Sequence, residues 1–294
     1  MDWTNPFAMP GRWLKGNLHT HTTRSDGRVD PHERIAAYRA AGYDFIALTD
    51  HWVISNDSAK SSETFLVIDG VECHANGPEE GEAYHILGLN VPPGKRLKDP
   101  MTVHEIKGAL HDAGALVVLA HPYWSGNTVQ RMLGVLDGMF ALEVFNATTC
   151  DVGKGTSRAH WDDLLDWGAR ISGLAVDDAH GTEHDVFQGW VMVKAPSLDA
   201  ASVLAALRAG AFYSTTGPRI EDVAVHDGRI SVRCSPATSI TFLAQRWHGR
   251  RVLAGSGKRL HQAEYVLNGD ERYIRIEVWD SAGGTAWTNP IYFY

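Results

Sequence analysis

The sequence predicts an α/β fold: a (β/α)7 barrel over residues 1–217, followed by a small all-β C-terminal domain over residues 218–294. Three observations carry this. From about residue 16 to 215, short apolar runs alternate with helix-like stretches, the pattern of βα units around a parallel sheet or barrel. Histidines and acids recur at the ends of those runs. After Gly217-Pro218 the texture changes to short strand-like pieces separated by Asp-Gly, Ser-Gly, Asn-Gly and Gly-Gly turns.

The expected strands of the first part are residues 17–21, 45–49, 65–68, 85–89, 116–120, 142–145 and 171–176, and seven strands favour a barrel over an open sheet. Helix signals fall between them. Asp30-Pro31-His32-Glu33 reads as an N-cap, a proline at the first helical position and a reciprocal Glu, with Gly42 as the stop. Thr102-Val-His-Glu105 repeats the capping box, and Gly114 ends that helix. Residues 157–167 and 198–208 are helical by composition and apolar spacing. In the C-terminal part the expected strands include 230–233, 240–244 and 273–278.

Composition narrows the class. With 44% hydrophobic residues in 294, the chain can bury a core in one large or two unequal domains, which excludes disorder as its main state. No apolar run approaches the roughly 20 residues of a membrane span. The N-terminus, MDWTNPFAMPGRWLKG, has neither a basic n-region nor a continuous apolar h-region, so a soluble cytoplasmic protein without a membrane partner is expected. Lys and Arg number 27 against 35 acids, a net charge of −8, which argues against a nucleic-acid polymer as partner. There are 15 His but only 3 Cys, and Cys73, Cys150 and Cys234 show no CxxC spacing. Any metal would therefore be held by imidazole and carboxylate.

The chemistry sits at the strand ends. His19 and His21 are two apart, so the period of a strand aims both at one face. The second strand runs into Asp50-His51, the third delivers Glu72, the fifth His121 and the seventh Asp178 and His180, while His85 opens the fourth. In a barrel of parallel strands these ends converge on one rim. Asp26, in the Ser25-Asp26-Gly27 turn, can reach it as well. The nine candidate ligands are His19, His21, Asp26, His51, Glu72, His85, His121, Asp178 and His180. Six imidazoles and three carboxylates crowded together would repel or remain unpaired unless divalent cations bound them, and Zn, Mn and Fe(II) all suit such a set. Each piece alone has a plainer use as a cap, turn or strand terminator. It is the coincidence over five strands that those uses do not explain.

His19-Thr-His21 with Ser25-Asp26-Gly27, then Thr49-Asp50-His51, Gly70-Val71-Glu72, Ala120-His121-Pro122 and Asp178-Ala-His180, in that order, resemble the polymerase-and-histidinol-phosphatase (PHP) superfamily of metal-dependent phosphoesterases. The likeness spans about residues 16 to 217. Trp13-Leu-Lys-Gly-Asn-Leu-His19, Tyr213-Ser-Thr-Thr-Gly-Pro218 and Ala286-Trp-Thr-Asn-Pro-Ile-Tyr292 are similar to the branch containing the carbaryl and carbofuran hydrolases, which also has a β-rich C-terminal extension. The resemblance implies a distorted seven-stranded, TIM-like barrel holding two or three divalent ions. It assigns His19, His21 and Asp178 to a first metal, Glu72 as a bridge to a second held also by His85 and His121, and Asp26, His51 and His180 to a third. His74 is a rival for the place of His85.

These residues predict a hydrolase of ester bonds: a metal-bridging hydroxide attacks a small anionic phosphomonoester or phosphodiester, with Glu72, Asp178 and His180 as the catalytic residues. The alternatives are a carbamate or carboxylic ester hydrolase using the same centre, or a non-catalytic metal-binding domain. For substrate contact the sequence offers Arg24, Lys154, Arg158 and Asn146, with Arg219 weaker. Glu143 and Asn146 end the sixth strand, and Glu143 is placed either to line the pocket or to support a ligand His. His74, His160 and His184 are candidates to protonate the leaving group. Trp52 and Trp124 follow ligand segments and are available for stacking or packing. The C-terminal domain is expected to support the barrel, shape its pocket or form a homo-oligomer.

Overall fold

The computed structural model describes residues 1–76 and 83–293. The strands of the first part are β1 (Arg12–Asn17), β2 (Phe45–Leu48), β3 (Leu66–Asn76), β4 (Ala83–Leu89), β5 (Leu116–Leu119), β6 (Ala141–Asn146), β7 (Ser172–Val176), β8 (Trp190–Ala195) and β9 (Phe212–Thr215). Helices α1 (Pro31–Ala40), α2 (Val103–Asp112), α3 (Val129–Leu133), α4 (Arg158–Asp166) and α5 (Ala200–Arg208) lie between them. Asp30 caps α1 by accepting from His32 N, and the reciprocal capping box is complete at α2, between Thr102 and Glu105.

The later strands are β10 (Ile220–His226), β11 (Arg229–Ala237), β12 (Ser239–Leu243), β13 (Gly249–Leu253), β14 (Leu260–Val266), β15 (Tyr273–Trp279), β16 (Thr285–Thr288) and β17 (Ile291–Tyr292). The result is a mixed α/β fold. One hydrogen-bonded path runs β13-β12-β15-β16-β9-β8-β1-β2-β3-β4-β5-β6-β7, with β17 on β15, and a separate antiparallel sheet is ordered β10-β11-β14.

Parallel pairing joins β1, β2 and β3, and again β5, β6 and β7. The exception is β4, which is antiparallel to both β3 and β5. That departs from the all-parallel reading of the sequence, because only six residues separate β3 from β4, fewer than a parallel crossover needs. Residues 190–195 and 212–215, not foreseen as strands, form β8 and β9, and β8 lies antiparallel on β1. The strands FIAL and LVVL are buried on both faces, which is why they read as unbroken apolar runs. On one face Phe45, Ala47, Ile68 and Val118 pack with Val203 and Leu207 of α5. On the other, Val117, Leu119 and Val144 meet Ile106 and Leu110 of α2 and Trp161 and Leu164 of α4.

The path ends at β7, whose outer edge is met by side chains. Ser214 Oγ donates to Gly173 O (2.7 Å) and accepts from Ala175 N (3.0 Å), and Asn289 Oδ1 accepts from Gly173 N (3.2 Å). Beyond the strand ends, a bridge between Thr20 and Ala179 brings the continuations of β1 and β7 together. The C-terminal strands join the same path through β9 and β16. They also grip α4: fully buried Arg275 donates from Nε to Asp162 (2.7 Å) and from Nη1 to Glu277 (2.7 Å), and lies over the Trp161 ring. Among the described residues no helix is long and apolar enough to cross a membrane.

Candidate metal centre

His19 and His21 lie just past β1, where the chain stays extended. Between them Thr20 turns the other way, its hydroxyl donating to Ala47 O (2.7 Å), so the two imidazoles share the opposite face. The segment is pinned to the end of β7 by His21 N donating to Ala179 O and Asp178 N donating to His19 O, both 2.9 Å. His51 and Glu72 face each other across a parallel bridge. His85 is the third residue of β4, and because β4 runs antiparallel to its neighbours, its beginning lies where they end. His121 (φ 25°) and Asp178 (φ 56°) occupy the left-handed region that non-glycine residues avoid, so the surroundings hold both ligands against strain.

All nine predicted ligands come together. Glu72 is the hub: its Oε2 lies 3.0 Å from both His19 Nε2 and His21 Nε2, and its Oε1 lies 2.8 Å from His85 Nδ1 and 3.3 Å from His121 Nε2. Asp178 Oδ1 is 3.1 Å from His19 Nε2 and 3.0 Å from His21 Nε2. Asp26 Oδ2 is 3.3 Å from His180 Nε2 and 3.6 Å from His51 Nε2. Three sets have donor atoms mutually within 4.8 Å: His19, His21, Glu72 and Asp178; His51, Glu72 and His85; and His21, Asp26, His51 and His180. His74 belongs to none of these; its Nε2 instead accepts from Trp52 Nε1 (3.4 Å).

These donors fit divalent cations. His19 Nε2 and His21 Nε2 face each other at 3.1 Å, although a pair of ring nitrogens can share only one proton. Asp178 Oδ1, buried beside both, makes no hydrogen bond, and neither does buried His51 Nδ1. Carboxylate oxygens and ring nitrogens converging on a common point suit a cation, and imidazole with carboxylate suits Zn, Mn or Fe(II).

The electrostatics agree. Burial works against charge on His19 and His21, yet the surrounding carboxylates overcome it, raising His19 well above the ordinary imidazole range and His21 to about 9. His121 is raised in the same way, chiefly by Glu72 once burial is overcome. Glu72 and Asp178 are pulled down despite their burial, by His19 above all. His51 is pushed down to about 4 by burial, assisted by His21 and His85.

A cavity of about 190 Å³ opens over the centre, lined among others by His85, His121, Trp124, Thr148 and Thr149. Trp124 stands edge-on to His121 (4.9 Å) and is 42% exposed. A second cavity of about 460 Å³ adjoins it through Asp26, Thr148 and His180, with Arg28, Asp151, Thr182 and His184 in its wall.

The predicted substrate contacts divide. Arg24 is ion-paired with buried Asp57, and Arg158 with Glu277, so both guanidinium groups already have protein partners. Lys154 sits over the Tyr123 ring (5.6 Å) and forms no ion pair among the described residues. Buried Asn146 points inward, its Nδ2 donating to Glu143 (2.8 Å) and Asp178 (3.1 Å). Of the other histidines, His160 packs on Tyr123 and exposed His184 lies near Glu183. Asp177, next to Asp178, accepts from Tyr38 Oη and three backbone amides, and burial still lifts it to about 6.

Sequence reasoning missed Arg28, whose side chain has no ion pair among the described residues, and also Ser25 and Ser125. Each serine hydroxyl faces the Nδ1 of the ligand four residues earlier, at 3.4 Å for His21 and 3.1 Å for His121. The signal was present as a repeated His-x-x-x-Ser spacing. Asp50 accepts from Thr22 N, Thr22 Oγ1 and Ser25 Oγ at 2.7–2.9 Å and so ties the Asp26 turn to β2.

No family model matches the chain. A curated 5'-3' exoribonuclease from Haemophilus influenzae is 38% identical over 80 residues, a stretch covering 26% of this chain and 28% of that protein. Among solved structures, a two-domain protein from Bacteroides vulgatus containing a predicted PHP-like metal-dependent phosphoesterase superposes with a TM-score of 0.58 and 15% identity, over 99% of each chain. An amidohydrolase from Chromobacterium violaceum, with bound sulfate and no metal, reaches a TM-score of 0.48 and 16% identity over 58% of this chain and 89% of that one. The Bacteroides likeness extends through both parts of the chain and shows a shared fold.

Proposed function

We propose that this chain is a metal-dependent phosphoesterase of the PHP type, hydrolysing a small phosphomonoester or phosphodiester at the rim of a distorted (β/α)7 barrel, with residues 218–294 as a supporting β domain. The observation that carries the reading is the convergence of nine imidazole and carboxylate ligands around Glu72 and the unbonded Oδ1 of Asp178. Divalent ions held there would supply Lewis acidity, bringing a water near neutral pKa and offsetting the charge of the phosphoryl oxygens.

The chain's own residues would then hold and shape. Glu72 joins the two halves of the centre, because one of its oxygens faces His19 and His21 while the other faces His85 and His121. Asp178 anchors the His19–His21 side, and His180 with Asp26 forms the side that opens to the larger cavity. Arg28 and Lys154, without carboxylate partners among the described residues, are cations available to an anionic substrate. Trp124 offers its partly exposed ring to a planar leaving group. Similarity to the carbaryl and carbofuran hydrolase branch remains a finer reading of the same centre.

The test uses protein stripped with chelator and reloaded separately with zinc, manganese or iron. It is assayed with p-nitrophenyl phosphate, bis-p-nitrophenyl phosphate, naphthyl carbamate and a short 5'-phosphorylated RNA. Cleavage of one of the small phosphate esters, abolished by Glu72→Gln, is expected. Carbamate or RNA turnover without small phosphate ester cleavage overturns the proposal.

A further inference from the structure

Strand β6 supplies none of the nine ligands, yet it places a carboxylate in their midst. Glu143 is 1% exposed, and each of its oxygens is engaged with the metal centre. Its Oε1 lies 2.6 Å from His19 Nδ1. Its Oε2 accepts from His121 N and from Asn146 Nδ2, both at 2.8 Å. The same Asn146 amide nitrogen reaches Asp178 Oδ2 at 3.1 Å.

We infer that Glu143 is the positioning residue of the metal centre: it fixes the tautomer of His19 and, with Asn146, ties together ligands from three different strand ends. The inference rests on the metal-centre reading above. A neutral imidazole carries one N–H. An acceptor-only carboxylate 2.6 Å from Nδ1 places that hydrogen there and leaves the Nε2 lone pair facing Glu72, His21 and Asp178. The bond from His121 N matters for a second reason. His121 has a φ of 25°, and the backbone bond to Glu143 helps hold it in that conformation.

The geometry explains why an acid and not an amide is needed. Glu143 faces three donors and no acceptor: His19 Nδ1–H, His121 N–H and the Asn146 amide. A glutamine has one acceptor oxygen and would turn its NH2 toward a donor, whichever way it were flipped. It would either release His19, which could then put its hydrogen on Nε2, or release His121 and Asn146. Aspartate keeps two acceptor oxygens and loses only reach.

The test measures zinc affinity by chelator competition on wild type, Glu143→Gln, Glu143→Asp and Glu72→Gln. The 15N-imidazole spectrum of the zinc-loaded proteins reports the His19 tautomer. E143Q should weaken zinc binding by about 10- to 100-fold and shift or remove the Nδ1–H signal of His19, whose carboxylate acceptor is gone. E143D should fall between E143Q and wild type while keeping that signal. E143Q binding zinc within twofold of wild type, or E143D failing as badly as E143Q, overturns the inference. If E143Q does not fold, E143D decides alone: affinity equal to wild type overturns the inference, and a loss of several-fold supports it. Failure of the underlying reading is separately visible, since wild type would then take up no zinc or E72Q would bind it unchanged.

Discussion

Loading the metal centre should release protons in a number that the side chains around it determine. Burial opposes charge on His19, but Asp178, Glu72 and Glu143 outweigh it and keep the ring protonated well above the usual imidazole value of 6.5. His21, likewise buried but 3.0 Å from both Asp178 and Glu72, is raised to about 9. Near neutral pH both therefore carry a proton in the metal-free protein. His121 is raised as well, chiefly by Glu72 once burial is overcome. His51, pushed down to about 4, is already neutral. Glu72 and Asp178 are ionised and have no proton to give.

Ligation requires free ring lone pairs, so full loading near pH 7 should expel about two to three protons. Each displaced proton makes apparent affinity tenfold steeper per pH unit, so two give a gain of about 100-fold from pH 7 to 8. The slope flattens above about 9, where His21 has lost its proton. Calorimetric titration of zinc into chelator-stripped protein, repeated in buffers of different ionisation enthalpy, counts the protons directly. Release of fewer than one proton, or affinity flat between pH 7 and 8, would refute the reasoning, because the imidazoles would then be neutral before metal arrives.

Three further outcomes test the surroundings of the site. Replacing Arg275 by Met should cost about 3 kcal/mol in urea melts of metal-free protein, the low end for a broken buried pair, since Asp162 is a third exposed and Glu277 retains Arg158. Burial raises Glu277, but Arg275 and Arg158 hold it below the usual carboxylate range, so this stabilisation exists above that range and fades as pH falls. The gap between R275M and wild type should narrow in acid, and equal stability at neutral pH counts against the clamp. Arg28→Ala should raise KM for a phosphate ester by about tenfold with metal content unchanged, whereas a loss of metal would place Arg28 in support of Asp26. Gly16→Ala would set a methyl 2.0–2.3 Å from the ring atoms of Phe45, and thermal melts should show a loss of about 3 kcal/mol; a neutral result means that β1 and β2 can part there.

What could be read in the sequence follows from how each feature is encoded. Strands buried on both faces, such as β2 and β5, are continuous apolar runs, and these two run within three residues into His51 and His121, so both the strands and the candidate ligands were visible as local text. Strand direction is not local text. His85 opens its apolar run while Glu72 follows one, and only the antiparallel pairing of β3 with β4 turns those opposite positions into one rim. β8 and β9 lack the strand-end signal: WVMVKA runs into no His or acid, and FYST ends in hydroxyl residues, one of which, Ser214, bridges to β7.

Charges are least legible of all, because an arginine's use depends on what lies opposite. Arg24 meets Asp57, 33 residues away, and Arg158 meets Glu277, 119 residues away, while Arg28, between a glycine and a valine, faces the cavity beside His180. The same holds for acids. Glu143 and Glu72 both lie within strands, but Glu72 faces imidazole nitrogens from five histidines, whereas Glu143 meets one Nδ1 and two further donors. Their chemistry differs through the donors that the neighbouring strands present. Candidate ligands can therefore be read from strand ends, but the residues that contact them, such as Glu143, emerge only from the pairing of those strands.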